Sequence, residues 1–148
     1  MTTNRRTFVM AMGAVGLAPL FASHASEDEA VAAMKTIMGS ASPKAGRVTL
    51  ELPPLVENGN LVTIKVQVDS PMTQADHVKA VHLIAEGNPL PNIISFFLGP
   101  RAGRAEVGTR IRLANSQRVW AIAEMSDGSF WRGHADTLVT LAACTEVI

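Results

Sequence analysis

Val62-Thr63-Ile64-Lys65-Val66-Gln67-Val68 alternates a β-branched apolar residue with a polar one at every step. A period of two with one wet face is the mark of a half-buried strand, and β-branched side chains suit that backbone. The same period extends in both directions. Val48, Leu50 and Leu52 alternate until Pro53-Pro54 interrupts them, and Glu57-Asn58-Gly59-Asn60 reads as the turn leading into 62–68. Beyond it, strands are expected over 78–86, 92–98, 105–114, 118–125 and 135–144. They are separated by Asn88-Pro89-Leu90-Pro91, Gly99-Pro100, Asn115-Ser116 and Ser126-Asp127-Gly128. About seven short strands with turns every 8–12 residues or so predict an all-β, immunoglobulin-like sandwich. No strand–helix–strand alternation occurs, which disfavours a doubly wound α/β fold.

Ahead of the strands a short helix is expected. Ser26-Glu27-Asp28-Glu29 has the form of a capping box, Val31, Met34, Ile37 and Met38 recur at helical spacing, and Gly39 supplies the stop. Its single apolar stripe must dock on its own domain or on a partner. The reading divides the chain into a leader over 1–25, a helix and linker over 26–43, and the sandwich over 44–148.

The leader follows from residues 4–25. Asn4-Arg5-Arg6-Thr7-Phe8 opens a basic segment, and the apolar run Phe8 to Ala22 is broken by Gly13, Gly16 and Pro19. That run is short of the roughly 20 residues a membrane span needs. Ser23-His24-Ala25 offers small residues to a signal peptidase, which places cleavage after Ala25. The paired arginines resemble a twin-arginine export signal, so a periplasmic protein exported in the folded state is expected, with no membrane segment after cleavage.

The whole chain has 148 residues with 13 basic and 13 acidic side chains. Neutral balance and scarce aromatics (two Trp, five Phe, no Tyr) argue against nucleic acid as a partner. The single cysteine, Cys144, excludes an intramolecular disulfide and any Cys-x-x-Cys site. In an oxidising compartment a lone thiol is unusual.

Constellations for catalysis or metal binding do not assemble. His77, His82 and His134 with Cys144 suggest copper, but in the common cupredoxin order a histidine and a methionine follow the cysteine, and only Thr145-Glu146-Val147-Ile148 do so here. Three histidines also fall short of the four of a superoxide-reductase-like iron site. No Gly-x-Ser-x-Gly elbow occurs, and Asp127-Gly128-Ser129 reads as a turn. Arg101, Arg104, Arg110 and Arg112 surround one hairpin. Arg110 and Arg112 share a face that is either solvated or attractive to an anion or acidic partner. Cys144 has two readings: the last packed residue of a strand, with Leu138, Thr140 and Ala142 on its face, or a nucleophilic thiol that carries a group covalently.

Val68-Asp69-Ser70-Pro71-Met72-Thr73, Asn88-Pro89-Leu90-Pro91, residues 103–114 (GRAEVGTRIRLA) and residues 123–131 (AEMSDGSFW) occur in the order in which they resemble the SoxY family. SoxY is the sulfur-carrier subunit of the periplasmic thiosulfate-oxidising (Sox) system. The resemblance implies an Ig-like sandwich paired with a second small β protein, SoxZ. It also implies oxidised sulfur held as a thiosulfonate or persulfide on the C-terminal cysteine, Cys144, which is presented to successive Sox enzymes. It implies no metal, no cofactor and no catalytic residue in the carrier itself. The family's Gly-Gly-Cys-Gly-Gly end is replaced by Ala142-Ala143-Cys144-Thr145-Glu146. Alanine and β-branched residues stiffen a chain that glycines would leave mobile, so a non-carrier binding or assembly module with a buried cysteine stays open as the alternative. With only Lys65 as a deterrent, 62–68 also reads as a sandwich edge that a heterodimer would cover, burying about 1,600 Å².

Overall fold

The computed structural model describes residues 25–143. Residues 1–24, all of the expected leader but Ala25, lie outside the described residues, as do Cys144, the expected carrier position, and the four residues after it.

The protein is an all-β sandwich with one helix laid on it. The strands are β1 (Lys44–Ala45), β2 (Val48–Glu51), β3 (Leu55–Asn58), β4 (Val62–Val68), β5 (Val78–Ala85), β6 (Asn92–Phe97), β7 (Glu106–Ile111), β8 (Gln117–Met125) and β9 (Phe130–Leu141). Helix α1 (Ala25–Met38) precedes them, and a single 3-10 turn, Pro100–Ala102, joins β6 to β7. One sheet runs β1-β9-β8-β5-β6, with β3 also pairing to β9; the other runs β2-β4-β7.

The alternation of 62–68 places Val62, Ile64, Val66 and Val68 in the core. Across from them lie Val81, Leu83 and Ala85 of β5 and Val119, Ala121 and Ala123 of β8, all fully buried. The strand is not an edge, as the sequence suggested: β2 pairs on one side and β7 on the other. Alternation reports which faces are wet but carries no information about lateral neighbours, and β2 lies too close in sequence to stand out as a partner. The edges are β2 and β7 in the smaller sheet; in the larger one they are β6 at one end and β1 with β3, both on β9, at the other.

The other face of the larger sheet carries α1. Ala30, Met34, Ile37 and Met38 pack on Ile84, Ile122, Phe130 and Trp120, so the apolar stripe docks on its own domain. Gly39, at φ 61, ends the helix in the left-handed region, and its N–H donates to the Lys35 carbonyl at 2.7 Å. Ser26 falls inside the helix rather than ahead of it.

Two strands are additional to the expected seven. β1 and β3 both run parallel to β9, and β3 takes residues 57–58 of the expected turn. Pro53 and Pro54 do not prevent this pairing, because their carbonyls still accept: Thr137 Oγ1 donates to Pro53 O at 2.7 Å and Leu138 N–H to Pro54 O at 2.9 Å. β9 begins at Phe130, five residues before the expected start, and stops at Leu141, leaving Ala142-Ala143 outside it.

Candidate functional site

At one end of the sandwich the last described residues are tied into the body. Gly59 N–H donates to Leu141 O at 2.7 Å, Leu113 N–H to Gly59 O at 2.8 Å, and Ala143 N–H to Leu113 O at 3.1 Å. Ala143 is buried and so is Leu113. A Cβ at Gly59 would meet Leu113 O at 2.4 Å and Ala143 N at 2.9 Å, so the knot requires a residue with no side chain. Just before it, Thr140 Oγ1 donates to Glu57 O at 3.0 Å and Val139 N–H to Ser116 Oγ at 2.9 Å. Ala143 is therefore a fixed point, and residue 144 follows it by one peptide unit, about 3.8 Å between Cα atoms.

The loops around this anchor are joined by uncharged amides. Asn88 Nδ2 donates to Arg112 O (2.8 Å) while Asn88 Oδ1 accepts from Ala114 N–H (3.0 Å) and from Gln117 Nε2 (3.0 Å). Gly87 N–H donates to Gln117 Oε1 at 2.8 Å, and Asn115 Nδ2 to Gly87 O at 3.4 Å. In the sequence Asn88 and Asn115 read only as turn residues, and Gly87 and Gln117 carry no reading at all. Their bonds join positions 24 to 30 apart, which no local period reveals. The usable signal is that all these turns fall at one end once a sandwich is assumed.

The three histidines are not brought together. His77 Nδ1 bonds Thr73 O at 3.0 Å, and the His134 ring lies 4.7 Å from that of Trp120. His82 is buried, with Nδ1 2.7 Å from Ser95 Oγ, its ring edge-on to Phe97 at 6.3 Å, and Nε2 without a partner. Loss of hydration holds its pKa below the ordinary 6.5, against the opposing pull of Glu124. Among the described residues no group of three or more His, Cys, Asp or Glu is arranged to hold a metal ion, and no helix is long and apolar enough to cross a membrane. Asp127 accepts from Ser129 N–H and Oγ in the turn before β9, which lowers its pKa.

The arginines separate. Arg101 sits in the 3-10 turn, and Arg104 precedes β7, where its charge helps hold the Glu106 carboxyl below its usual range, after the larger effects of Gln67 and Lys65. Arg110 and Arg112, both exposed, line one groove with Leu90 and Ile94. On the outer face of the larger sheet, Arg118 is paired in bidentate fashion with Asp136 (2.7 and 3.0 Å) and covers one side of Trp120, with Arg132 also against that ring.

The fold is shared with several solved structures. The sulfur carrier protein SoxY from Chlorobium limicola f thiosulfatophilum superposes with a TM-score of 0.65 at 22% identity, over 77% of this chain and 98% of that one. A superoxide reductase (neelaredoxin) from Ignicoccus hospitalis gives 0.56 at 19% identity, over 64% of this chain and 80% of its own. One from Nanoarchaeum equitans gives 0.54 at 15%, over 64% and 99%. These likenesses are of fold. No curated protein matches the chain significantly. A family profile described as sulfur oxidation protein SoxY matches residues 34–144, a span that starts within α1, takes in every strand and ends on Cys144. On that match, the chain belongs to the SoxY family.

Proposed function

We propose that this protein is a non-catalytic sulfur carrier, exported to the periplasm by its twin-arginine leader, that holds thiosulfate-derived sulfur covalently on Cys144. The observation that carries the reading is the family match running through residue 144, directly after the anchored Ala143. Joining a cysteine thiolate to the outer sulfur of thiosulfate forms one S–S bond and releases two electrons. An electron-accepting enzyme is therefore a required partner, and a hydrolytic one is needed to release the terminal sulfonate as sulfate. The thiolate is the reactive form.

The tail differs from a long glycine arm, and this shapes the mechanism. With Ala143 fixed, the cargo stays close to the body, so the enzymes must dock against the end of the sandwich. A SoxZ-like small β protein completes the carrier in this reading. The same buried Ala143 favours the second reading, a binding module whose cysteine is packed away. Maleimide labelling of the purified protein separates the two. The carrier reading expects Cys144 to react at the same extent in native buffer and in denaturant; labelling only after denaturation overturns it.

A further inference from the structure

We infer that the flank where β6 and β7 lie side by side is the seat of a separate, acidic protein chain that adds an extended strand there. The inference rests on the two-chain carrier reading, and it assigns the surface and its chemistry. β6 and β7 are the terminal strands of their two sheets. Leu98 N–H donates to Lys79 O on β5 at 2.8 Å, so the strand period turns the backbone groups of Ser95 and Phe97 away from β5 and leaves them open. Asn92–Phe97 contains no charge and no proline, which are the usual devices for blunting an edge. Its apolar side chains are also uncovered: Phe97 is 79% exposed, Ile94 36%, and Leu90, just before the strand, 81%.

Between the two strands runs a groove of about 380 Å³, formed by Leu90, Ile93, Ile94 and Ile111 with Arg110 and Arg112 at its margin. Among the described residues the ion pairs involve neither of these arginines. An apolar centre edged by unpaired cations matches a strand that carries apolar residues flanked by carboxylates. A second copy of this chain does not fit: a two-fold interface sets the same patch against itself and would bring arginines against arginines. The seat also adjoins the carrier end. The Arg112 carbonyl is held by Asn88, and the next residue, Leu113, accepts the Ala143 N–H. A chain bound here borders the place where the cargo is presented.

The test uses the full chain co-expressed with its SoxZ-like protein and follows association by surface plasmon resonance at low and high salt. Arg110→Glu with Arg112→Glu should slow association about tenfold and remove most of its salt dependence. Leu90→Ser with Phe97→Ser, at positions too exposed to unfold the body, should accelerate dissociation by at least a similar factor. Leu55→Ser with Leu138→Ser, an exposed pair on the opposite edge of the larger sheet, should change neither rate. Unaltered binding by both flank variants, with circular dichroism showing them folded, overturns the assignment while leaving the two-chain reading intact. Absence of any complex with the unaltered protein overturns both. Restored association when a partner carboxylate is reversed to lysine against the Arg110→Glu, Arg112→Glu variant would locate the contact at these residues.

Discussion

Gly59 is held in a hydrogen-bonded knot with Leu141, Leu113 and Ala143 that leaves no room for a Cβ. Because a Cβ there would lie 2.4 Å from the Leu113 carbonyl oxygen, Gly59→Ala must push backbone rather than a pliable side chain. Overpacking of this kind costs about 1–3 kcal/mol. Chemical denaturation should show that loss, and hydrogen exchange should show the Ala143 amide losing protection in the same variant; a fully protected Ala143 would mean that Gly59 does not hold the anchor. His82 makes a different prediction. Its folded pKa is depressed below 6.5, chiefly by loss of hydration, so below about pH 6.5 the unfolded chain takes up a proton that the native chain refuses. The corresponding stability is complete above that pH and declines as pH falls through the folded value. His82→Leu should flatten the midpoint-against-pH curve just below about pH 6.5. The depressed carboxyls, Glu106 held by Gln67 and Lys65, Asp136 by Arg118 and Asp127 by Ser129, act in a lower window, below about pH 4. A curve for His82→Leu that keeps the unaltered slope would contradict the role given to this residue.

Among the elements, α1 shows how far an apolar stripe can be read. Its existence and stop are legible from Val31, Met34, Ile37, Met38 and Gly39, yet Val31 is left exposed while Ala30, which no stripe argument selects, is buried. Small residues enter a helix–sheet contact because they let the backbone come close, and hydropathy alone does not rank them for that. Ile122, wholly buried under the helix, is the natural place to weaken the contact. Ile122→Ala should cost about 2–5 kcal/mol and selectively expose α1 amides to exchange. Uniform exposure across the sandwich instead would show that the helix is not a separable layer. β9 was half legible. Its expected start at residue 135 misses Phe130 to His134, a stretch that includes the close crossing at Gly133, where a Cβ would meet the Val48 carbonyl oxygen at 2.6 Å. β3 was hidden because its pairing to β9 is parallel and long-range, and the prolines before it contribute acceptors rather than donors.

The molecule joins a fold that was largely legible to a site that was not. Alternation at 62–68, repeated along the chain, is enough for a sandwich because each wet-and-dry strand needs a second sheet to cover its dry face. The amide-bonded end arises from contacts between distant turns, and the cysteine that follows it has no local pattern to distinguish a carrier thiol from a packed one. The carrier reading proposed for it rests on its family setting. In the proposed mechanism the body is a presenter whose anchored Ala143 directly precedes the cysteine proposed to carry the cargo. Intact-mass spectrometry of the protein isolated from cells oxidising thiosulfate, with peptide mapping of the C-terminal fragment, tests this most directly. The account predicts mass additions corresponding to thiosulfonate or persulfide, confined to Cys144, reversed by thiol reductant and absent from Cys144→Ser. A population consisting solely of unmodified thiol under those conditions would contradict it.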